Sequence, residues 1–377
     1  MNRQYLRNIA DIQTGPFGSQ LHKEDYVNDG TPIVTVEHLG NRVFTKQNLP
    51  KVSDEDKVRL AKYVLSKGDI VFSRVGSVDR CSYVDEVHDG WMFSGRCLRV
   101  RPTGVIDPLF LYYFFCLEKT KQFVRNIAVG ATMPSINTKL LGEVEIVYPV
   151  LDVQRKIVKT LSAIDDKIEN NQKINDNLQQ QAMALFDSWF VSFNRTNGEV
   201  PADWTEGTLG DISTIISGKR PPMKQAVETD GVQIPLVGAS SIMGFTNAVL
   251  YNEPILVTGR VGTHGVVQRF QTPCWTSDNT LVIKSSFYEF TYQVLQRVDY
   301  VNMNRGSTQP LITQTDLKNV SIVLPPKTVL LEFEELAGSL MAMYEANRKE
   351  NNRLAVLRDS LLPKLMSGEL DVSDIDL

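Results

Sequence analysis

An internal repeat is the feature of this sequence that most limits how the chain can fold. Residues 130–149 and 306–325 match at an offset of 176, with 9 of 20 positions identical. The same offset continues downstream, where Asn171 corresponds to Asn347 and Asn175 to Asn351. A repeat of this length is typical of duplicated structural units, so we expect two copies of one fold.

The two copies differ in length near their middles. Gly15 corresponds to Gly218 at an offset of 203, whereas Arg74 corresponds to Arg260 at 186. The offset falls to 176 further along, so the second copy has lost 27 residues in all. Insertions concentrate in loops, where binding surfaces also lie. We therefore predict copies that share a framework and differ in their exposed faces.

Each copy is predicted to contain a globular part followed by one long helix. Short β-rich runs broken by Gly and Pro occur at 68–72, 144–148 and 255–258, and the segments 108–117 and 287–298 favour short helices. This mixture predicts an α+β fold, with two mixed α/β domains separated by two long helices.

Heptad spacing predicts the two long helices, at about 152–193 and 328–366. Pro149 and Pro325 precede them, as expected near helix starts. The apolar seam comprises Ile157, Leu161, Ile164, Ile168, Leu178, Ala182 and Leu185 in the first helix, and Leu336, Leu340, Met343, Leu354, Leu357 and Leu361 in the second. Because such a seam needs a partner, we predict an antiparallel coiled coil, with the copies related by a pseudo-two-fold axis.

Asparagines interrupt both seams. Antiparallel pairing would bring Asn171 and Asn347 together near the pseudo-two-fold axis. Because a buried polar pair costs stability but fixes register, we predict register roles for Asn171, Asn175, Asn347 and Asn351. The alternative is that these side chains mark a hydrated point of the seam.

Composition excludes several classes of protein. With 42% hydrophobic and 22% charged residues, the chain has the balance of an ordinary folded protein. It contains no apolar run of membrane-spanning length, and its first residues lack a signal-peptide core, so we expect a cytoplasmic protein. Its 4 cysteines form no CxxC pair and are expected to be reduced thiols.

Motifs of common catalytic sites are missing from the sequence. It contains no Asp/Asn-Pro-Pro-Tyr/Phe tetrapeptide of amino-methyltransferases, no Phe-x-Gly-x-Gly cofactor loop and no GxxxxGK phosphate loop. Its 4 histidines include no HExxH pair, which disfavours a zinc hydrolase. We therefore expect no catalytic residue, no metal and no cofactor in this chain.

The predicted architecture is a helical spacer that carries two globular domains, which we call heads. Helices of about 40 residues would span roughly 60 Å, whereas one turn of DNA is roughly 34 Å. Two similar but unlike heads held this far apart could read two different half-sites on DNA. The net charge of −4 does not by itself argue for DNA binding.

Several segments resemble specificity subunits of type I restriction–modification systems. The C-terminal LRDSLLPKLMSGEL, at 357–370, is similar to the signature ending of that family. Further segments are similar to the family and follow its order along nearly the whole chain: GPFGSQL at 15–21, KGDIVFSRVGS at 67–77, GATMPSINTKLL at 130–141 and ALFDSWF at 184–190.

The resemblance implies a division of the chain into five parts. These are target-recognition domain 1 at 1–149, a central helix at 150–195, target-recognition domain 2 at 196–325, a C-terminal helix at 326–370 and an acidic tail at 371–377. It also implies a non-catalytic subunit that reads a bipartite, asymmetric DNA sequence, one half per domain, with the helices as spacer.

Partners follow from the same resemblance. They are two modification subunits, which carry S-adenosylmethionine, and through them restriction subunits, which use ATP and Mg²⁺. Contact with a modification subunit is predicted for the apolar residues Trp189, Phe190, Leu361 and Leu362. The alternative function is a coiled-coil scaffold that joins partner proteins without reading DNA.

Candidate DNA contacts lie on loops at equivalent places in the two copies. Arg reads guanine, Asn and Gln read adenine, and phosphates accept from Arg, Lys, Ser and backbone N–H groups. The first place holds Arg74, Ser77 and Arg80 in copy 1, and Arg260, Thr263 and His264 in copy 2. An arginine stands at this position in both copies, as Arg74 and as Arg260. A residue shared by both copies fits phosphate contact better than the reading of different bases. The alternative there is a structural ion pair.

A second place pairs Ser94 and Arg96 with Ser277 and Asn279. Arg against Asn is the difference expected of readers of different bases, and the alternative is a plain β-turn. A third place holds Thr132 in copy 1, and Arg305, Thr308 and Gln309 in copy 2. A packing role is equally compatible with this third place.

Overall fold

The computed structural model describes residues 1–17, 20–263, 265–303 and 311–372. The chain divides into two units. Unit 1 comprises Met1–Asn170 with Glu350–Leu377, and unit 2 comprises Asn171–Lys349. Each unit contains one globular part together with a segment of each long helix.

Unit 1 alternates short strands with short helices. Its strands are β1 (Asn2–Tyr5), β2 (Ala10–Thr14), β3 (Tyr26–Val27), β4 (Thr31–Val34), β5 (Lys51–Val52), β6 (Ile70–Ser73), β7 (Cys81–Tyr83), β8 (Met92–Phe93), β9 (Cys97–Pro102) and β10 (Glu145–Tyr148). Its helices are α1 (Leu6–Ile9), α2 (Asp54–Arg59), α3 (Pro108–Cys116), α4 (Glu118–Ile127), α5 (Thr138–Gly142) and the first part of α6 (Leu151–Phe186).

These strands form three sheets. The first sheet has the strand order β2-β9-β6-β7, and all its neighbouring strands are antiparallel. The order β3-β5-β4-β8 ends in a parallel pair, β4 with β8. The third sheet is a two-stranded ladder in which β1 runs antiparallel to β10, with Asn2 opposite Tyr148. This ladder joins the two ends of the globular part.

Unit 2 has a corresponding set of elements. Its strands are β11 (Thr205–Thr208), β12 (Ser213–Ser217), β13 (Ile234–Val237), β14 (Ile242–Thr246), β15 (Ile255–Gly259), β16 (Gln268–Phe270), β17 (Trp275–Thr276), β18 (Thr280–Ser285) and β19 (Ser321–Leu324). Its helices are the end of α6 from Asn171, α7 (Leu209–Ile212), α8 (Tyr288–Gln296), α9 (Tyr300–Met303), α10 (Gln314–Lys318) and α11 (Lys327–Ser367) as far as Lys349.

Two sheets of unit 2 repeat those of unit 1, and the third has three strands where unit 1 has four. The order β12-β18-β15-β16 matches β2-β9-β6-β7, and the ladder β11-β19 matches β1-β10. The order β14-β13-β17 again contains one parallel pair, β13 with β17. The repeat predicted from the sequence is therefore confirmed at the level of strand order, as are the mixed α/β character and the short helices at α3 and α8.

Helix α3 shows how local sequence sets an element of the core. Asp107 caps its first turn by accepting from the N–H groups of Leu109 and Phe110, and Pro108 occupies the first helical position. Its apolar side chains then enter the core of unit 1, where Phe110 and Phe115 belong to the same buried cluster as Leu161 of α6 and Leu365 of α11. Burial of each such side chain stabilises the fold by about 2 kcal/mol.

The core of unit 2 is an aromatic cluster. Phe333 of α11 is fully buried, and its ring centroid lies 5.1 Å from that of Phe190, 5.9 Å from that of Phe186 and 5.9 Å from that of Trp189. Phe290 of α8 joins them at 4.9 Å from Phe190. This cluster fastens the globular part of unit 2 to both long helices.

Contacts between the long helices are antiparallel in unit 1. Arg358 Nη1 donates to Asp165 Oδ1 at 2.8 Å, and Asn351 Nδ2 donates to the Ile168 carbonyl at 3.3 Å. A later residue of α6 thus faces an earlier residue of α11. Tyr113 Oη also donates to Asp165, at 2.7 Å, which links α3 to the pair.

The helix segments of unit 2 are antiparallel as well, because Asn175 of α6 contacts Asn347 while the later residue Phe186 contacts the earlier residue Phe333 of α11. Asn347 Nδ2 donates to Asn175 Oδ1 at 2.9 Å, while Asn175 Nδ2 donates to the Tyr344 carbonyl at 3.2 Å. The heptad pattern predicted that Asn347 would meet Asn171, but its side chain donates to Asn175 instead. Asn171 itself is fully buried. The register role of these asparagines stays a prediction.

The apolar seam of α11 differs from the one predicted. Leu336, Met343 and Leu357 are about half exposed, at 46%, 57% and 46%. The buried face instead carries Leu330, Phe333, Ala337 and Met341. The prediction was wrong here because α11 has apolar residues at heptad spacing on more than one face, and packing of the globular part selects the face with Phe333. The predicted seam residues of α6 are all buried or partly buried, as are Leu340, Leu354 and Leu361 of α11. Their pairing as a coiled coil stays a prediction.

Glu334 of α11 supplies the cap that α8 lacks. Its carboxylate accepts from the N–H groups of Glu289 and Phe290, at 3.0 and 2.8 Å. No side chain of α8 or its N-cap residue, Phe287, caps this end. Burial raises the pKa of Glu334 to about 7, with Glu289 adding to the rise, while the two N–H bonds and Arg269 oppose it.

We expect this carboxyl to make stability depend on pH. Its pKa is higher in the folded than in the unfolded chain, so its contribution is fully present below about pH 4.5 and is lost as pH rises through about 7. Glu334→Gln keeps an acceptor without the charge. The difference in unfolding free energy between wild type and variant should therefore fall by on the order of 2 kcal/mol between pH 4.5 and 7.5. Chemical denaturation of both proteins across this range measures it, and parallel pH curves would contradict the expectation.

The described helices and side chains lack the features of membrane spans, metal sites and disulfide bonds. Among residues 1–17, 20–263, 265–303 and 311–372, no helix could cross a membrane, and no cluster of His, Cys, Asp or Glu could hold a metal ion. The cysteines are free thiols: Cys81, Cys97, Cys116 and Cys274.

Candidate nucleic-acid interface

Loops from distant parts of unit 1 meet on one surface. The Arg74 N–H donates to the Arg96 carbonyl at 2.8 Å, and the Ile136 N–H donates to the Arg74 carbonyl at 2.9 Å. The Gly76 N–H also donates to the Pro134 carbonyl, at 2.8 Å. We call this set of loops, residues 15–17, 74–80, 94–96 and 129–135, loop surface 1.

Two glycines let the loops of this surface touch backbone to backbone. A Cβ at Gly15 would lie 2.2 Å from the Ser94 carbonyl oxygen, and one at Gly95 would lie 2.3 Å from the Pro16 carbonyl oxygen. Only glycine fits such an approach. The loops are therefore held as a single packed layer.

The side chains that loop surface 1 offers to solvent are mixed. Arg96, Ser77 and Thr132 are exposed. Arg74 is partly buried, donates from Nη1 to the Gly95 carbonyl at 3.1 Å and lies over the ring of Phe17, 5.8 Å from its centroid. Phe17 is 61% exposed and was not predicted as a site residue, although its position directly after Gly-Pro could have indicated it.

Two other predicted residues of unit 1 make contacts inside the fold. Arg80 is exposed, but its guanidinium donates to the Leu39 carbonyl and covers Gly40. Ser94 is only 8% exposed, with its hydroxyl 3.7 Å from Cys97 Sγ. Their predicted contact with DNA is untested, and Ser94 in particular offers little surface for it.

Unit 2 builds an equivalent surface with the same backbone pattern. The Arg260 N–H donates to the Asn279 carbonyl at 2.8 Å, and the Ile312 N–H donates to the Arg260 carbonyl at 2.9 Å. A Cβ at Gly218 would lie 2.1 Å from the Ser277 carbonyl oxygen, as at Gly15 in unit 1. We call residues 218–220, 260–263, 276–279 and 311–312 loop surface 2.

The exposed side chains of loop surface 2 differ from those of loop surface 1. Asn279 stands where unit 1 has Arg96, and both are exposed. Thr263 is exposed, Arg260 is partly buried and Ser277 is 3% exposed. The remaining predicted contacts lie outside the described residues: His264, Arg305, Thr308 and Gln309.

The residues predicted to bind a modification subunit are largely covered. Trp189 and Phe190 are 9% and 8% exposed within the aromatic cluster of unit 2, and Arg195 stacks over the Trp189 ring at 4.1 Å. Leu362 is 6% exposed, and Leu361 packs beside it in the core of unit 1. A partner would find little side-chain surface on them, so their predicted role remains untested.

Comparison with known proteins decides the family. The family model for the type I restriction modification DNA specificity domain matches residues 5–180 and 201–329, which correspond to the two copies of the repeat. The chain belongs to this family. The resemblance found in the sequence is thereby confirmed.

Individual relatives extend over nearly the whole chain. The MjaIX specificity subunit of Methanocaldococcus jannaschii is 26% identical over 408 residues, covering 98% of this chain and 93% of that protein. The HindI specificity subunit of Haemophilus influenzae is 23% identical and covers 82% and 88%. A crystal structure of the type I restriction–modification S subunit from M. genitalium has a similar fold, with a TM-score of 0.59, 17% identity, and coverage of 97% and 95%.

Proposed function

We propose that this chain is the non-catalytic subunit that reads a bipartite, asymmetric DNA target for a type I restriction–modification complex. The observation that carries the proposal is the pair of loop surfaces. Their backbones are joined by the same hydrogen bonds, yet Arg96 of one is replaced by Asn279 in the other, and both side chains are exposed. One framework with different readers is what an asymmetric target requires.

The chemistry of the two readers assigns them different bases. Arginine donates two hydrogen bonds to O6 and N7 of guanine, whereas asparagine pairs with N6 and N7 of adenine. Arg74 and Arg260 occupy the same place in both copies, so they suit phosphates, which are identical in both half-sites. Each of these is anchored through its backbone to its reader, Arg96 or Asn279.

The long helices would serve as the spacer between half-sites, paired as an antiparallel coiled coil. Antiparallel contacts within each unit support this, namely Asp165 with Arg358 and Asn175 with Asn347. Helix α6 has 36 residues and α11 has 41, which correspond to about 54 and 62 Å. Such lengths exceed one turn of DNA, at roughly 34 Å.

Methyl transfer and cleavage would belong to partner subunits. We propose two modification subunits, which bring S-adenosylmethionine, and restriction subunits bound through them, which bring ATP and Mg²⁺. The relatives named above are specificity subunits of such systems, which supports this assignment. Exposed apolar residues of α11, such as Leu336 and Met343, offer a partner more surface than Trp189 or Phe190 does.

The test of DNA reading uses Arg96→Ala and Asn279→Ala in complexes with modification subunits. Methylated positions are mapped on a randomised DNA library. Each variant should lose discrimination at one base pair, by roughly 10- to 100-fold, which corresponds to about 1–3 kcal/mol per bidentate contact. Arg96→Ala should affect one half-site and Asn279→Ala the other.

Arg155→Ala is the matched control, because Arg155 is an arginine of α6 with a 63% exposed side chain. It should leave both half-sites unchanged. Equal relaxation of both half-sites by either reader variant would contradict the proposal. Assembly without any sequence preference in the wild type would favour the scaffold instead.

A further inference from the structure

Two repeat-related glutamates on the long helices receive an arginine from the globular part of their own unit. Glu169 of α6 and Glu345 of α11 are separated by the repeat offset of 176. Arg42 Nε donates to Glu169 Oε1 at 2.7 Å in unit 1, and Arg269 Nε lies 3.8 Å from Glu345 Oε1 in unit 2. The same point of each helix therefore has a guanidinium beside it, which is hydrogen-bonded in unit 1 and forms a longer ion pair in unit 2.

In each unit a second carboxylate completes the arrangement. Arg42 Nη2 donates to Asp166 Oδ1 at 2.5 Å. Arg269 makes two hydrogen bonds to Glu289 of α8, at 2.6 and 2.7 Å, and its guanidinium lies 4.9 and 4.7 Å from the ring centroids of Tyr288 and Tyr292. The arginine side chains are only 14% and 4% exposed. Ion pairs covered to this degree hold a defined geometry, unlike most surface pairs.

The two arginines come from different parts of the repeat. Arg269 lies on β16, and its counterpart in the ladder of unit 1 is Tyr83 of β7, since Leu256 faces Arg269 as Ile70 faces Tyr83. Arg42 lies in a loop within the stretch that copy 2 has shortened. The Arg42 carbonyl accepts from the Tyr83 N–H at 2.7 Å. The loop therefore places the Arg42 guanidinium beside the strand position of unit 1 that corresponds to Arg269 in unit 2.

Burial opposes a charged Arg42, but its bonds to Glu169 and Asp166 outweigh this and raise its pKa above the usual value. Equivalent glutamates of the two long helices thus form ion pairs with non-equivalent arginines, through a hydrogen bond in unit 1 and at 3.8 Å in unit 2, where Arg269 hydrogen-bonds Glu289 of α8 instead. Duplication alone would have copied the residues. The presence of an arginine beside this glutamate in both units, from different positions of the repeat, indicates that the ion pair has a role.

We propose that Arg42 and Arg269 are positioning residues that fix the angle of each recognition domain on its helix segment, so that the subunit accepts a single gap between half-sites. This inference rests on the proposed function, in which the domains read DNA and the helices set the gap. Each anchor contacts the helix rather than DNA, so it acts on spacing and not on base reading.

The experiment measures methylation by the complete complex with modification subunits on DNA in which the half-sites are fixed and the gap varies one base pair at a time. Wild type should methylate one gap. Arg42→Gln and Arg269→Gln should each raise methylation at gaps one base pair longer or shorter by about tenfold relative to the preferred gap, which is about 1.4 kcal/mol. Half-site sequences should stay the same.

Glu169→Gln and Glu345→Gln provide second variants that act at the helix end of the same contacts. They should widen the gap preference as their arginine partners do, and the double variant Arg42→Gln with Glu169→Gln should do little more than either alone. Arg101→Gln is the control, because it removes an ion pair to buried Asp69 that stays within the globular part. It should lower stability without widening the gap.

A uniform loss of methylation at all gaps, or an unchanged gap in all four variants, would overturn the inference and leave the proposed function intact. A change in the half-site bases would also overturn it, because the anchors would then act on reading. Failure of the wild type to select any half-site would instead refute the proposed function.

Discussion

Inserting seven residues after Lys173 and seven after Lys349 should lengthen the recognised gap by about three base pairs and leave both half-sites unchanged. One heptad adds about 10 Å to a helix, and each base pair occupies about 3.4 Å. Seven residues also return each helix to nearly the same face. These positions lie between the Ile168–Asn351 contact and the Asn175–Asn347 contact, so both bonds are kept.

Mapping of methylated sites on a randomised library measures the gap. A matched control inserts four residues at each position, which rotates the downstream helix by about 40° from its original face and should abolish methylation. An insertion of seven residues that changes the bases of a half-site, or that leaves the gap as it was, would contradict the role of the helices as spacer.

Phe333→Ala should destabilise the chain by about 3–5 kcal/mol, the cost of removing a buried phenyl ring from a core. The ring is fully buried and packs against Phe186, Trp189, Phe190 and Phe290, so its loss leaves a cavity among aromatic side chains that cannot collapse. For a unit of this size the melting temperature should fall by about 10 °C.

Leu331→Ala is the control, because Leu331 lies two residues away on the same helix and is 51% exposed. It should change the unfolding free energy by less than about 1 kcal/mol. Thermal melts followed by tryptophan fluorescence compare the two, since Trp189 is part of the cluster. Equal shifts would show that Phe333 does not hold the globular part of unit 2 to α11.

Much of the fold could be predicted because the repeat presents each structural element twice in the sequence, so that one copy supports the assignment in the other. Strands at 68–72 and 255–258 support each other through the repeat, and the first heptad seam is unambiguous. The seam of α11 could not be predicted in the same way. Leu336 and Phe333 both have apolar neighbours at helical spacing, and only the packing of the globular part decides which face turns inward.

The candidate interface was predictable in part for the same reason. Arg96 and Asn279 stand out as unlike residues at like positions, and the structure places both on exposed turns beside Arg74 or Arg260. Burial of Ser94 and Ser277 could not be inferred, because serine is common in turns whether or not it is exposed. The anchors at Arg42 and Arg269 were missed because they occupy non-equivalent positions, so comparison of the two copies conceals them.

The ladders β1-β10 and β11-β19 have a consequence for how new specificities arise. In unit 1 the chain enters and leaves the globular part side by side, with Tyr5 opposite Glu145, and in unit 2 Thr208 stands opposite Ser321. The segment between those residues is attached to the rest of its unit through a two-stranded ladder. If each domain reads one half-site, as we propose, recombination within the ladder strands would exchange one half-site and leave the sequences of α6 and α11 unchanged.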